Sequence, residues 1–291
     1  MNVLILGGTG SIGTSVVQAL RRHGHNTLAL ARSDAAEAKL LDMGVRVLRG
    51  DVRDPEAWAD VVYEADAVIQ TIALHASDAE AIDLQLTSSL LRRLAMRVAG
   101  TEAAYIYTGG CWLYGNTGDR VASEKSRLNP PPEWAWNARH AEAIVTSPVV
   151  RGIVIHPAMV YEREGGVLAP FMDEIRNRRR VAVVGNENVR WPMVHREDIG
   201  ELYVLALESG ARGATYNGAA IESVKVGNLA RVLAHRAGVD PNPRVFSVGE
   251  AVARWGDWAL GYAIDQQMSG KRARRELGWV PAHTDVAADI M

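Results

Sequence analysis

The chain has 291 residues, 48% hydrophobic and 23% charged, with a net charge of −2 and one cysteine. That length builds one large α/β domain or a domain with a smaller lobe, and the charge balance excludes a bulk attraction to nucleic acid or an anionic membrane. A single cysteine, Cys111, excludes an internal disulfide and a cysteine-based metal cluster and reads as a buried thiol. No apolar run approaches the ~20 residues of a membrane span, so a cytoplasmic protein is expected. No His-Glu-x-x-His or paired His/Asp spacing points to a metal.

In chain order, short apolar runs alternate with longer amphipathic ones. "NVLIL" opens the chain without a basic segment or cleavage site, so it reads as a buried strand. It precedes "SIGTSVVQALRRHG"; "NTLALA" precedes "AAEAKLLDMG"; "VRVLRG" precedes "DPEAWADVVYEA". "AVIQTI" precedes "DAEAIDLQLTSSLLRRLAMRVAG", and "AAYIY" leads into "TGGCWLYG". "RGIVIHP" follows a helix-like "WAWNARHAEAIVTS". Near-continuous apolar strands need both sheet faces covered, which predicts an α/β, doubly wound parallel sheet. Gly24, Gly44 and Gly100 fall where helices should stop. After residue 160 the pattern loosens. One further strand is expected near "ATYNG", and the remainder should form a smaller, mostly helical lobe over the strand ends.

"LGGTGSIG" places Gly7, Gly10, Ser11, Ile12 and Gly13 between a predicted strand and a predicted helix. Glycines there let the backbone approach a pyrophosphate at a helix N-terminus. The second strand ends in "LALARSD", with Arg32 and Ser33 where an acid would bind a ribose 2′-OH. Arg32 can stack on adenine and bind a 2′-phosphate, and Ser33 can add a donor. NADP(H) is therefore preferred, with NAD(H) left open, and Asp34 is read as the N-cap of the next helix. Asp51, followed by Val52, ends the third strand, where its carboxylate reaches either the adenine amino group or the next turn.

The glycine spacing, "GDVRD", "YTGGCWLYG", "HPAMVYE", "WPMVHREDIGELYVLALE" and "RARRELGWVP" occur in an order that resembles extended and atypical short-chain dehydrogenases/reductases, the NAD-dependent epimerase/dehydratase-like group. The resemblance covers nearly the whole chain. It implies a Rossmann-type domain over residues 1–160, with 195–220 returning to it. A substrate lobe is implied over 161–194 and 221–291. It also implies a nicotinamide ring near residues 71–74, 108–114 and 157–161, which brings in Thr71 and Thr108.

In that family a Ser or Thr ends the fifth strand and a Tyr-x-x-x-Lys follows on the next helix. Aligned on "LYG", the hydroxyl position is Gly110, after Gly109. Aligned on Glu142, the helix offers Trp134 and Ala138; shifted by two, Trp136 and His140. Neither register restores the set. His140 and Tyr114 are then the candidates for proton transfer. Trp112, Trp136, Tyr161 and Trp191, with Trp134, read either as an aromatic substrate wall or as packing between lobes. By resemblance His195 is structural; Asp198 reads as first-turn helix charge. The basic run at 176–180 is read as a solvated helix end.

These residues predict an NADP(H)-dependent oxidoreductase acting on a small, flat or apolar carbonyl- or imine-type substrate. A nonredox isomerase or lyase on the same scaffold and a noncatalytic NADP(H)-binding sensor are the alternatives. Neither a nucleic acid nor a membrane is expected as a partner, and a homodimer is left open.

Overall fold

A computed structural model describes residues 1–74, 77–97, 102–163 and 165–290. The first half runs β1 (Asn2–Leu6), α1 (Ser11–Arg22), β2 (Asn26–Ala31), α2 (Asp34–Asp42), β3 (Arg46–Arg49), β4 (Ala67–Gln70), α3 (Ala79–Ala95), β5 (Ala104–Thr108), α4 (Ala135–Val145) and β6 (Arg151–Pro157). There follow β7 (Met159–Glu162), β8 (Gly165–Gly166), α5 (Ala169–Arg178), β9 (Arg180–Val184), β10 (Arg190–His195), α6 (Arg196–Ser209) and β11 (Ala214–Gly218). The chain ends with β12 (Ile221–Lys225), α7 (Val226–Ala237), β13 (Asp240–Phe246), α8 (Val248–Trp255), α9 (Lys271–Leu277) and α10 (Val286–Asp289).

Seven strands form the main sheet in the order β11-β6-β5-β4-β1-β2-β3. Each neighbouring pair is parallel. β4 is buried throughout and β1 in all but its first residue, which is why they read as unbroken apolar runs. β1 pairs β2 on one side and β4 on the other. The strand order reverses there, and a crevice opens at the carboxyl ends. α1 buries Val16, Val17, Ala19 and Leu20. It meets α6 closely, because a Cβ at Gly200 would lie 2.7 Å from the Ser15 carbonyl oxygen.

The strand expected at "ATYNG" is β11, paired with β6. Gly24 and Gly44 have φ of +76° and +69° and stop α1 and α2. Gly100 lies outside the described residues. "DPEAWADVVYEA" forms two short 3-10 turns, Pro55–Ala57 and Ala59–Glu64.

The region after residue 160 holds more strand than its pattern suggests. β12, β10, β7 and β8 make a second sheet, and β9 with β13 a parallel pair. β13 reads "DPNPRVF"; two prolines that cannot donate disguise it, and the pairing skips between Asp240 and Arg244 to accommodate them. None of the described helices is long and apolar enough to cross a membrane.

Candidate cofactor groove and substrate cavity

A groove of about 540 Å³ lies at the strand-order reversal. Gly7, Gly10, Ser11, Ile12, Arg32, Ser33, Asp51, Val52 and Thr71 all line it, as the sequence proposes. Gly10 caps α1 without a side-chain acceptor, and the first turn holds no acid. The leading N–H groups of α1 therefore face the groove uncompensated, which suits an anion. Gly7 has φ +87°, and a Cβ on it would lie 2.9 Å from the Thr71 backbone. Gly13 works one layer back. It does not line the groove; a Cβ there would sit 2.0 Å from the Gly7 carbonyl oxygen, so it lets the loop fold onto the helix.

Electrostatics at the far end of the groove are simple. Arg49 takes Asp34 at 3.0 Å and Glu37 at 3.2 Å. Arg32 makes no ion pair among the described residues, and it faces the groove. Ser33, not Asp34, caps α2: its Oγ accepts from the Ala36 N–H at 3.3 Å, and Asp34 is the first helical residue. A residue just after the strand can turn its oxygen back to the first turn, which one position later cannot. Lys39 donates to the Thr9 carbonyl at 2.8 Å and adds positive charge beside the glycine loop. Asp51 accepts from the Arg53 N–H at 2.9 Å, as the turn-capping reading expects, and it lines the groove. Thr71 donates to the Leu6 carbonyl at 2.9 Å. Thr108 is not a groove residue; its hydroxyl donates to the Gln70 carbonyl at 2.5 Å and meets Tyr203 Oη at 2.6 Å.

A second cavity of about 630 Å³ adjoins the groove and shares Ser11, Ile12 and Ala73 with it. Its wall includes Gly109, Gly110, Trp112, Met159, Val160, Trp255, Trp258 and Tyr262. Trp112 stacks on Trp134 with centroids 4.7 Å apart. Tyr262 packs against Trp258 and Trp191, each at 5.0 Å, and donates to the Val167 carbonyl at 3.1 Å.

The sequence that builds this sheet and these spaces matches the model of the NAD dependent epimerase/dehydratase family over residues 3–219. The chain belongs to that family. Among curated proteins, an uncharacterized protein of Saccharomyces cerevisiae is 28% identical over 299 residues, covering 100% of this chain and 98% of that one. Phenylcoumaran benzylic ether reductase Betv6 of Betula pendula is 27% identical over 267 residues, covering 87% and 73%. Among solved structures, dTDP-glucose 4,6-dehydratase from Streptomyces venezuelae with NAD is 19% identical at a TM-score of 0.82, covering 100% and 94%. A human epimerase family protein with NADPH is 18% identical at 0.80, covering 100% and 98%. The solved structures show the fold, a Rossmann-type parallel sheet flanked by helices.

Within this family member, the residues at the usual hydroxyl position have a physical explanation. His156, at the end of β6, is buried beneath Gly109. A Cβ on Gly109 would lie 2.2 Å from His156 Nδ1, so only glycine fits. The Gly110 N–H donates to that same Nδ1 at 3.2 Å. Burial lowers the His156 pKa to about 4, keeping the ring a neutral acceptor. Gly110 is different. Its Cβ direction meets nothing within 4 Å. The glycine pair thus makes room for a histidine below and leaves open space above.

The proposed proton donors lie elsewhere. His140 is buried and pairs through Nδ1 with Asp83 at 2.6 Å, in a network where Asp83 also accepts from Gln70 at 2.6 Å and Tyr107 at 2.9 Å. Its ring lies tilted against Trp136, with centroids 5.4 Å apart, but both are outside the cavity wall. Helix α4 turns that face toward α3, not toward the cleft. Tyr114 donates to Asn217 Oδ1 at 2.8 Å, and burial raises its pKa, a poor state for passing a proton. Cys111 lines the cavity, with its thiol pushed up to about 12 by burial.

Of the proposed substrate residues, Trp112 lines the cavity and the others pack behind or away from it. Trp191 is buried, donating to the Tyr262 carbonyl at 3.1 Å. Tyr161 is fully buried and donates to Asp289 at 2.5 Å. His195 caps α6, accepting from the Glu197 N–H at 3.4 Å. Asp198 is more than first-turn charge: it accepts from Ala282 and His283 N–H groups at 2.8 and 2.9 Å and ties down the C-terminal loop. Sequence reasoning missed His156, Lys39, Trp255, Trp258 and Tyr262. The segment "ARWGDWALGY" carried a signal in its clustered aromatics, but nothing local says that it folds back against Trp112 in the turn after β5.

Proposed function

We propose that this chain is an NADP(H)-dependent oxidoreductase whose substrate is small, flat or apolar, with a carbonyl- or imine-type carbon. The observation that carries this reading is an anion-suited dinucleotide groove adjoining an aromatic-walled cavity and sharing Ser11, Ile12 and Ala73 with it. When bound, the reduced nicotinamide supplies a hydride. The chain's own residues do the rest. The α1 N-terminus and the glycine loop hold the pyrophosphate, and Arg32 with Ser33 holds a 2′-phosphate. Trp112, Trp255, Trp258 and Tyr262 clamp a flat molecule and exclude water around it. Tyr114 and His140 act as positioning residues, the first holding the turn at 111–114 and the second holding α4 against α3 and β5. The likeness to the birch reductase supports net reduction over epimerisation.

Titration with NADPH and NADH tests the cofactor half. NADPH should bind more tightly, and Arg32→Ala should cost it about 1.5–3 kcal/mol, the range for hydrogen bonds to a charged group, while leaving NADH little changed. Equal affinities in the unaltered protein defeat the preference. Loss of reduced-nicotinamide absorbance over a panel of flat carbonyl and imine acceptors tests the reaction. Tight NADPH binding with no acceptor turned over leaves the sensor reading in its place.

A further inference from the structure

The cavity wall narrows the substrate class, on the reading that it takes a hydride acceptor. Among the described residues that line it there is no Lys, Arg or His, and one carboxylate, Asp173. Asp173 stands at the mouth with its side chain 65% exposed, 3.5 Å from Arg176 on the next turn of α5. An exposed pair of that spacing is worth only a few tenths of a kcal/mol, so it leaves the carboxylate able to meet a second cation. A substrate carrying a diphosphate would find no cation among the described residues of this wall. A flat organic cation finds the opposite: indole faces attract cations, and the carboxylate adds to that attraction.

Proton supply points the same way. A neutral carbonyl that gains a hydride must also gain a proton on oxygen. Here the Tyr262 hydroxyl is already donated to Val167, and Tyr114 and His140 face Asn217 and Asp83. An iminium ion needs no proton. The incoming hydride pair forms the new C–H bond, the C=N π pair returns to nitrogen as a lone pair, and a neutral amine results.

We infer that the cavity recognises a flat, cationic iminium substrate, held between Trp112, Trp255 and Trp258 and steered by Asp173. Calorimetry on the cofactor-free protein tests this with two molecules of one shape, N-methylisoquinolinium and methylnaphthalene. The cation should bind about tenfold more tightly, near 1.4 kcal/mol. Asp173→Asn should reduce that preference severalfold without moving the affinity of the neutral molecule. Trp258→Leu should weaken both. Equal binding of the two molecules, or an Asp173→Asn variant with the preference intact, overturns the inference. Turnover of N-methyl-dihydroisoquinolinium with NADPH separates it from the broader reading. If the cation binds in an Asp173-dependent way without turnover, the cation site stands and the oxidoreductase reading falls. If neutral carbonyls are reduced and the cation does not bind, the reverse holds.

Discussion

The groove draws its walls from residues 7–12, 30–36, 50–52 and 71–74, all at the carboxyl ends of neighbouring parallel strands. The cavity gathers residues 109–112, 157–160, 166–173 and 255–262, from both sheets and the C-terminal helices. One space is built mainly from backbone and the other mainly from side chains. Backbone sites depend on where a Cβ is forbidden, and the glycines announce that locally. Side-chain sites depend on which face of each element turns inward, and that is decided only when the elements pack.

The comparison breaks most sharply at Gly13. Gly13→Ala places a Cβ 2.0 Å from the Gly7 carbonyl oxygen, so the loop must open. We expect about 3 kcal/mol of destabilisation, the upper end for overpacking, together with loss of dinucleotide binding. Melting curves and NADPH calorimetry check it; a variant that binds NADPH normally would mean the loop is not the phosphate cradle.

Next comes His156, where a side chain underpins the backbone at 109–110. Its pKa is about 4 in the folded chain against an ordinary 6.5, because burial excludes the imidazolium. Below 6.5 the unfolded chain therefore binds more protons than the folded one. This contribution to stability is complete above pH 6.5 and is lost as pH falls toward 4, by up to ~3 kcal/mol. Denaturant titrations across that range should show the loss, and His156→Asn should flatten it. An unchanged slope in the variant would assign the acid sensitivity elsewhere.

Gly109→Ala sharpens the same point at about 1–2 kcal/mol, since its Cβ would meet His156 Nδ1 at 2.2 Å. The double variant Gly109→Ala, His156→Ala should recover part of that cost, a coupling readable from a double-mutant cycle. Additive effects would contradict the packing argument. Smallest is Gly110→Ser. With nothing within 4 Å of its Cβ direction, it should shift stability by less than about 0.5 kcal/mol. It should also leave turnover of any accepted substrate essentially unchanged, because a lone hydroxyl lacks the partners it works with. A large gain in rate would show that those partners are present after all.

Gly7, Gly10, Ser11, Ile12, Arg32, Ser33, Asp51 and Val52 were legible as groove residues because strand, turn and helix N-terminus follow one another within a few residues, whereas Thr71 came only through the family resemblance. The parallel sheet was legible for the same reason: apolar runs and stopping glycines are local signals. The aromatic wall was legible only as a surplus of tryptophan. Trp112 and Trp136 sit in equally suggestive segments, yet only Trp112 reaches the cavity. His140 follows Trp136 by one helical turn and shares its face, but that face meets Asp83 on α3. Helical periodicity says which residues travel together; the packing of α4 against α3 and β5 decides where they go. Gly109, beside the Gly110 read as an absent catalytic hydroxyl, likewise had no reason of its own until His156, 47 positions later, is placed beneath it by the parallel pairing of β5 with β6. Local backbone chemistry determined the cofactor fold. Strand register and helix orientation, which no short stretch of sequence contains, decided which side chains line the second cavity.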